Sequence, residues 1–237
     1  MDKEFCLTYK KDEQTALIPI FSVTFMLMLL LLILAITETP IRVHSQPNRY
    51  YAGYLMYGYA TYAPWGVYAQ IYTIDPGFVW WWDVFAEWDA VVLSYTYDCW
   101  IQVGYTKEGF NLRFYLEKKD NNGRQYSPYP TGPSPGVTYS YTIVNVKGGM
   151  WCVRIRDLNG YTLYETTISV SPYEPKDLEA SAETSNPSIH LDGTHFMYLS
   201  YYTGRSWPLW NMHVSAQDWP YTLTQVSHYE FYASGGT

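Results

Sequence analysis

The chain has 237 residues, a net charge of −7, and 19% aromatic against 16% charged residues, with 26 Tyr and 10 Trp. Such a balance is too apolar for a disordered chain, and it excludes the basic, phosphate-tracking surface of a nucleic-acid partner. The length suits one sizeable all-β domain, in which large cross-strand side chains are at home.

Residues 1–15 mix Lys3, Lys10 and Lys11 with Asp2, Glu4, Asp12 and Glu13 and read as an inner, cytoplasmic tail with little positive-inside signal. Residues 16–36 carry no charge. As a helix they extend about 30 Å, the thickness of a bilayer core, and predict a transmembrane or signal-anchor helix. Val43-His44-Ser45 also fits a signal-peptidase site, so cleavage near Ser45 and a retained anchor both stand. Either route puts the residues after Gln46 in the extracellular space or on the cell surface. Residues 37–49 form a linker and 50–237 the exported domain. Its two cysteines, Cys99 and Cys152, permit one disulfide in an oxidising compartment, with two buried thiols as the alternative.

Strands are expected at 50–57, 67–74, 78–85 (through Trp80-Trp81-Trp82), 90–97 and in the Asp98–Tyr105 stretch. Residues 110–119 follow, closed by Asp120-Asn-Asn-Gly123. The four prolines of Ser127–Gly136 predict a loop of polyproline character. Further strands are expected at 137–144, 150–156, 162–170, 178–183, 195–202 and 229–232, with 207–221 left open. Many short strands with regular turns mean an antiparallel β-sandwich.

There is no Gly-x-Ser-x-Gly elbow, phosphate-binding loop or His-Glu-x-x-His pair. His190, Asp192 and His195 lie close in sequence, but a turn with two surface histidines accounts for them better than a metal site; no metal and no cofactor are expected. Gln102 stands mid-strand among apolar neighbours, where an amide must find hydrogen-bond partners or present itself to a ligand. Glu179 and Glu183, four apart on one strand, share a face about 13 Å from each other. Solvated carboxylates on a polar edge strand are the plainer reading of that pair. Glu117 is a further acidic residue inside a strand.

In order, Tyr51-Ala-Gly-Tyr54, Trp100-Ile-Gln-Val-Gly104, Phe114-Tyr-Leu-Glu117, Pro135-Gly-Val-Thr138 and Leu178-Glu-Ala-Ser-Ala-Glu183 run through the domain. In this the chain resembles the glutamic peptidases, the eqolisin family. The resemblance implies a secreted, concanavalin A-like β-sandwich (jelly roll). It assigns Gln102 and Glu183 as the catalytic pair, on adjacent strands and facing one groove. Tyr51, Trp100, Glu117 and Glu179 would line the path of an extended peptide or unfolded protein. The family's Trp-x-Gly-x-Asp-Gly segment is absent, with Ala90–Tyr95 in its place, and Tyr51 replaces a Trp. The expected activity is an acid endopeptidase. The alternative is a non-catalytic surface module that binds glycans or proteins, or a structural cell-surface component; the aromatic excess and the expected anchor favour it.

Overall fold

The computed structural model describes residues 49–57, 64–94, 98–171 and 173–237. The expected tail, membrane helix and most of the linker (residues 1–48) lie outside the described residues. Fourteen strands occur among those described: β1 Tyr50–Tyr57, β2 Gly66–Tyr72, β3 Phe85–Ser94, β4 Cys99–Glu108, β5 Asn111–Asp120, β6 Gly123–Pro128, β7 Thr138–Lys147, β8 Met150–Asp157, β9 Thr162–Ser169, β10 Asp177–Thr184, β11 Thr194–Tyr201, β12 Val214–Gln217, β13 Tyr221–Ser227 and β14 Glu230–Gly235. They form two seven-stranded sheets of order β12-β1-β10-β3-β4-β5-β6 and β13-β14-β11-β2-β7-β8-β9, every pairing antiparallel. The all-β sandwich follows from the alternation along these strands.

The core lies between the sheets. Ile101, Val103 and Tyr105 of β4 point inward against Val67, Ala69 and Ile71 of β2 and Tyr141 and Ile143 of β7, all within one cluster of buried residues. Two carboxyls share this interior: Glu87 and Asp89 on β3 are fully buried. Glu87 accepts a hydrogen bond from Thr194 Oγ1 at 2.5 Å, and burial raises its pKa to about 8; burial raises that of Asp89 well above the usual range. A second, smaller apolar cluster of Tyr51, Ala86, Trp88, Ala90 and Tyr115 lies on the opposite face of the same sheet. Period-two alternation gives each strand both faces.

The expected strand at 78–85 does not form. Trp80 to Asp83 make a turn, with the Asp83 N–H donating to the Trp80 carbonyl at 2.9 Å, and β3 begins only at Phe85. Three consecutive tryptophans cannot all face one core, and here all three are exposed. The proline-rich stretch is a connection from Tyr129 onward, but its first two residues end β6. The β5–β6 hairpin turns through Asn121 and Asn122: Asp120 Oδ1 accepts from the Asn122 N–H at 2.8 Å, and Gly123 takes φ of 105°, which favours glycine.

The candidate disulfide is not formed. Cys99 on β4 points into the core, whereas Cys152 on β8 alternates with the inward Trp151 and Val153 and so faces out of the other sheet. The Cys99 thiol lies 3.9 Å from Asn121 Oδ1, and Cys152 Sγ lies 4.0 Å from Arg154 Nη2.

Candidate active site

In an antiparallel pair, residues directly opposite share a face. The register therefore maps the outer face of the first sheet in rows. Leu55, Glu179, Ala90, Gln102 and Glu117 form one row across β1, β10, β3, β4 and β5. Gly53, Ser181, Trp88, Gly104 and Tyr115 form the next, and Tyr51, Glu183, Ala86, Thr106 and Arg113 the third. The expected face is shared by Gln102, Glu179, Glu183, Glu117 and Tyr51. The expected strand adjacency is not found: Gln102 is on β4 and Glu183 on β10, with β3 between them. Two strand steps and four residues of offset put their Cα atoms about 16 Å apart in a regular sheet, a span that two extended side chains close only with a molecule between them.

That molecule has a place. Gln102 and Glu183 line one open cavity of about 370 Å3, together with Ala86, Thr106, Tyr115, Glu117, Arg124, Arg49 and Trp81. Gln102 is 7% exposed and donates an Nε2–H to Tyr115 Oη at 2.5 Å. Gly104 stands between Trp88 and Tyr115 in register and leaves that approach open. Its lack of a side chain is required, because a Cβ there would overlap the Glu87 carbonyl and lie 2.8 Å from Trp88 Cα.

Both carboxylate oxygens of Glu183 are engaged. Arg49, the residue before β1, places Nη1 2.8 Å from Oε1, and Trp88 Nε1–H donates to Oε2 at 3.2 Å. Burial raises the Glu183 pKa, while the Arg49 charge and the Trp88 hydrogen bond hold it down. Burial also raises Tyr115 well above its usual range, reinforced by the charges of Glu183 and Glu117. Tyr115 thus stays neutral.

Glu117 forms an ion pair with Arg124, whose guanidinium lies 5.9 Å from the centre of the Trp100 ring. Trp100 reaches the site only as that support and does not line the cavity. Glu179 and Tyr51 line a separate hollow of about 20 Å3 on the other side of Trp88. Burial raises Glu179 to about 8, aided by the charge of Asp177. Trp88, Tyr115, Arg49 and Arg124 are the site residues that sequence reasoning missed. Strand register, a long-range property, places Trp88, Tyr115 and Arg124 beside the pair, and Arg49 joins them from just ahead of β1 through its ion pair with Glu183.

His190 lies 3.5 Å from Asp192, while His195 pairs with Glu230 at 2.9 Å on a different strand. Among the described residues no group of three His, Cys, Asp or Glu is placed to hold a metal ion.

The sandwich has the fold of the glutamic peptidases. Scytalido-glutamic peptidase, solved with a peptide-based transition-state analogue, superposes with a TM-score of 0.58 at 10% identity, over 79% of this chain and 98% of that one. SCP-B, an eqolisin-family peptidase in complex with the tripeptide Ala-Ile-His, gives 0.54 at 11% identity over the same shares. No family sequence model and no curated protein sequence matches the chain.

Proposed function

We propose that the protein is a glutamic-type endopeptidase acting on extended peptides or unfolded protein, displayed at the cell surface and held there by residues 16–36. One observation carries the reading: a buried glutamine amide and a partly exposed glutamate line one cavity, in a fold shared with peptidases that bind peptide-like ligands. Glu183, in its carboxylate form, takes a proton from a water held in the shared cavity, and that water attacks the peptide carbonyl. Gln102 has a second Nε2–H beyond the one given to Tyr115, and this donates to the oxyanion as the tetrahedral intermediate forms. Glu183 then hands its proton to the departing amine as the C–N bond breaks. Trp88 and Arg49 position the carboxylate. Tyr115, neutral throughout, positions the amide.

The test is cleavage of a denatured protein at acid pH by the full chain, beside Glu183→Gln and Gln102→Ala. Wild type is expected to cleave, and Gln102→Ala to lose about 100-fold to 1,000-fold in kcat, the range for removal of one oxyanion donor. Glu183→Gln loses activity entirely. Cleavage by both variants at the wild-type rate would overturn the proposal. A second reading, a non-catalytic module that binds glycans or proteins, is favoured by the Arg49–Glu183 ion pair, which occupies the carboxylate. It predicts no cleavage by wild type at any pH and retained ligand binding in both variants.

A further inference from the structure

The turn before β3 presents an aromatic array. The rings of Trp80 and Trp82 stack at 4.8 Å and 6°, and Trp81 stands edge-on to Trp82 at 4.9 Å. Phe78 packs edge-on against Trp80 at 4.8 Å and tilted against Phe110 at 4.7 Å. These side chains contact one another yet stay open to solvent, Trp81 at 81% and Phe110 at 77% exposure. The turn is also tied down: Val79 and Gly109 exchange both backbone hydrogen bonds, joining it to the β4–β5 turn. Scattered exposed aromatics are ordinary, but five contiguous ones on a fixed tip mark a surface that meets something apolar.

We propose that this array is a membrane-interfacial patch, seated at headgroup level in the bilayer that holds residues 16–36. Trp is enriched at that level because its ring has an apolar body and a polar N–H. Chain length supplies the reach. Arg49, where the described chain begins, lines the same cavity as Trp81. Only twelve residues, 37–48, separate it from the uncharged stretch, and twelve residues span at most about 40 Å. The charges around the array are mixed: Asp75 is ion-paired with Lys107 at 2.7 Å and Glu108 with Arg113 at 3.6 Å, and Asp83 adds a negative charge. Arg49 and Arg124, which line the cavity with Trp81, are paired with Glu183 and Glu117, so no uncompensated basic cluster selects anionic lipid. A zwitterionic surface fits. A single peptide subsite does not account for the array, since of the five rings only Trp81 lines the cavity.

The proposal rests on the membrane anchorage of residues 16–36, and the experiment separates the two. All ten tryptophans lie between Trp65 and Trp219, so tryptophan fluorescence reports the domain and is blind to residues 16–36. The full chain is reconstituted into phosphatidylcholine vesicles brominated high on the acyl chain, with flotation run in parallel. Wild-type fluorescence should be quenched by the brominated lipid. The quenching should be lost in a Trp80→Ser, Trp81→Ser, Trp82→Ser variant, which changes only exposed turn residues. It should persist in Trp207→Ser, whose ring packs on Tyr68 and Tyr202 at the start of β2, away from the patch. A chain that floats with the vesicles but shows no bromolipid quenching, or equal quenching in the triple variant, overturns the patch and leaves the anchor. A chain that does not float overturns both. If the soluble peptide Ala-Leu-Phe-Leu-Ala, and not lipid, shields these tryptophans from acrylamide, the surface is a peptide subsite and the proposal fails.

Discussion

Glu183 is held between burial, which favours its neutral form, and Arg49 with Trp88, which favour the carboxylate. Replacing Arg49 by Gln removes the positive charge and keeps a hydrogen-bond donor, so the Glu183 pKa rises. A base with a higher pKa stays protonated to higher pH. The acid limb of the kcat/KM profile of Arg49→Gln should therefore shift upward in pH, with the rate recovered above the new limb. A profile that loses height without moving would mean that Arg49 does not act through Glu183. The same residues show what a sequence reading reaches. Gln102 stands out because a polar side chain inside an apolar strand has few explanations, and parity alone shows that Glu179 and Glu183 share a face; only the family resemblance, not the strand itself, gives Glu117, Glu179 and Glu183 a role. Arg49 gives no such signal, being one charge in a linker. Trp88 lies just before Ala90–Tyr95, where the family pattern is lost, and its bond to Glu183 joins residues 95 positions apart.

The β3–β4 pair is the element on which the site depends, and Gly104 is its narrowest point. The overlap of an added Cβ with the Glu87 carbonyl is with backbone, which cannot turn aside as a flexible side chain can. Gly104→Ala should force the strands apart and destabilise the domain by on the order of 3 kcal/mol, read as a lower urea midpoint. It should also weaken catalysis, because Gln102 reaches Tyr115 past this position. A variant as stable as wild type would show that the pair yields without cost. Most strands were legible from alternation and turn residues, as in β5 with its Asp-Asn-Asn-Gly closure. Residues 78–85 misled because tryptophan has strand propensity and carries no information on whether a partner strand exists. β12 lay in the stretch left open and is only four residues long, too short for its alternation to be read, and β13 was missed because most of its side chains are exposed. The order of strands in the sheets, and hence β3 between Gln102 and Glu183, is written in no local pattern.

Across the whole molecule, Glu87, Asp89 and Glu179 give folding a definite pH dependence. Burial raises Glu87 and Glu179 from an ordinary 4.5 to about 8, and Asp89 well above its ordinary value. Between pH 4.5 and about 8 the unfolded chain gives up these protons while the folded chain keeps them. The folded state then binds more protons, so stability falls as pH rises through that window and is fullest below it. Urea midpoints measured from pH 4 to 9 should fall towards alkaline pH, and Glu87→Gln should flatten part of the slope. Midpoints that do not change over that range would contradict the buried, neutral state of these acids. A domain most stable in acid suits the proposed function, in which the Glu183 carboxyl serves as base and then as acid.

The pairing of β1 with β10 has a temporal consequence. Tyr51 lies opposite Glu183 across 132 residues of chain, and Ala86 flanks Glu183 on its other side. During synthesis the first strand must wait, unpaired along that edge, until residue 184 has emerged, and non-local pairings of this kind assemble slowly. The carboxylate and the amide therefore come to face one cavity only when most of the domain has been made. Under the proposed peptidase function, a nascent chain still on the ribosome has no assembled site with which to cut itself or its neighbours.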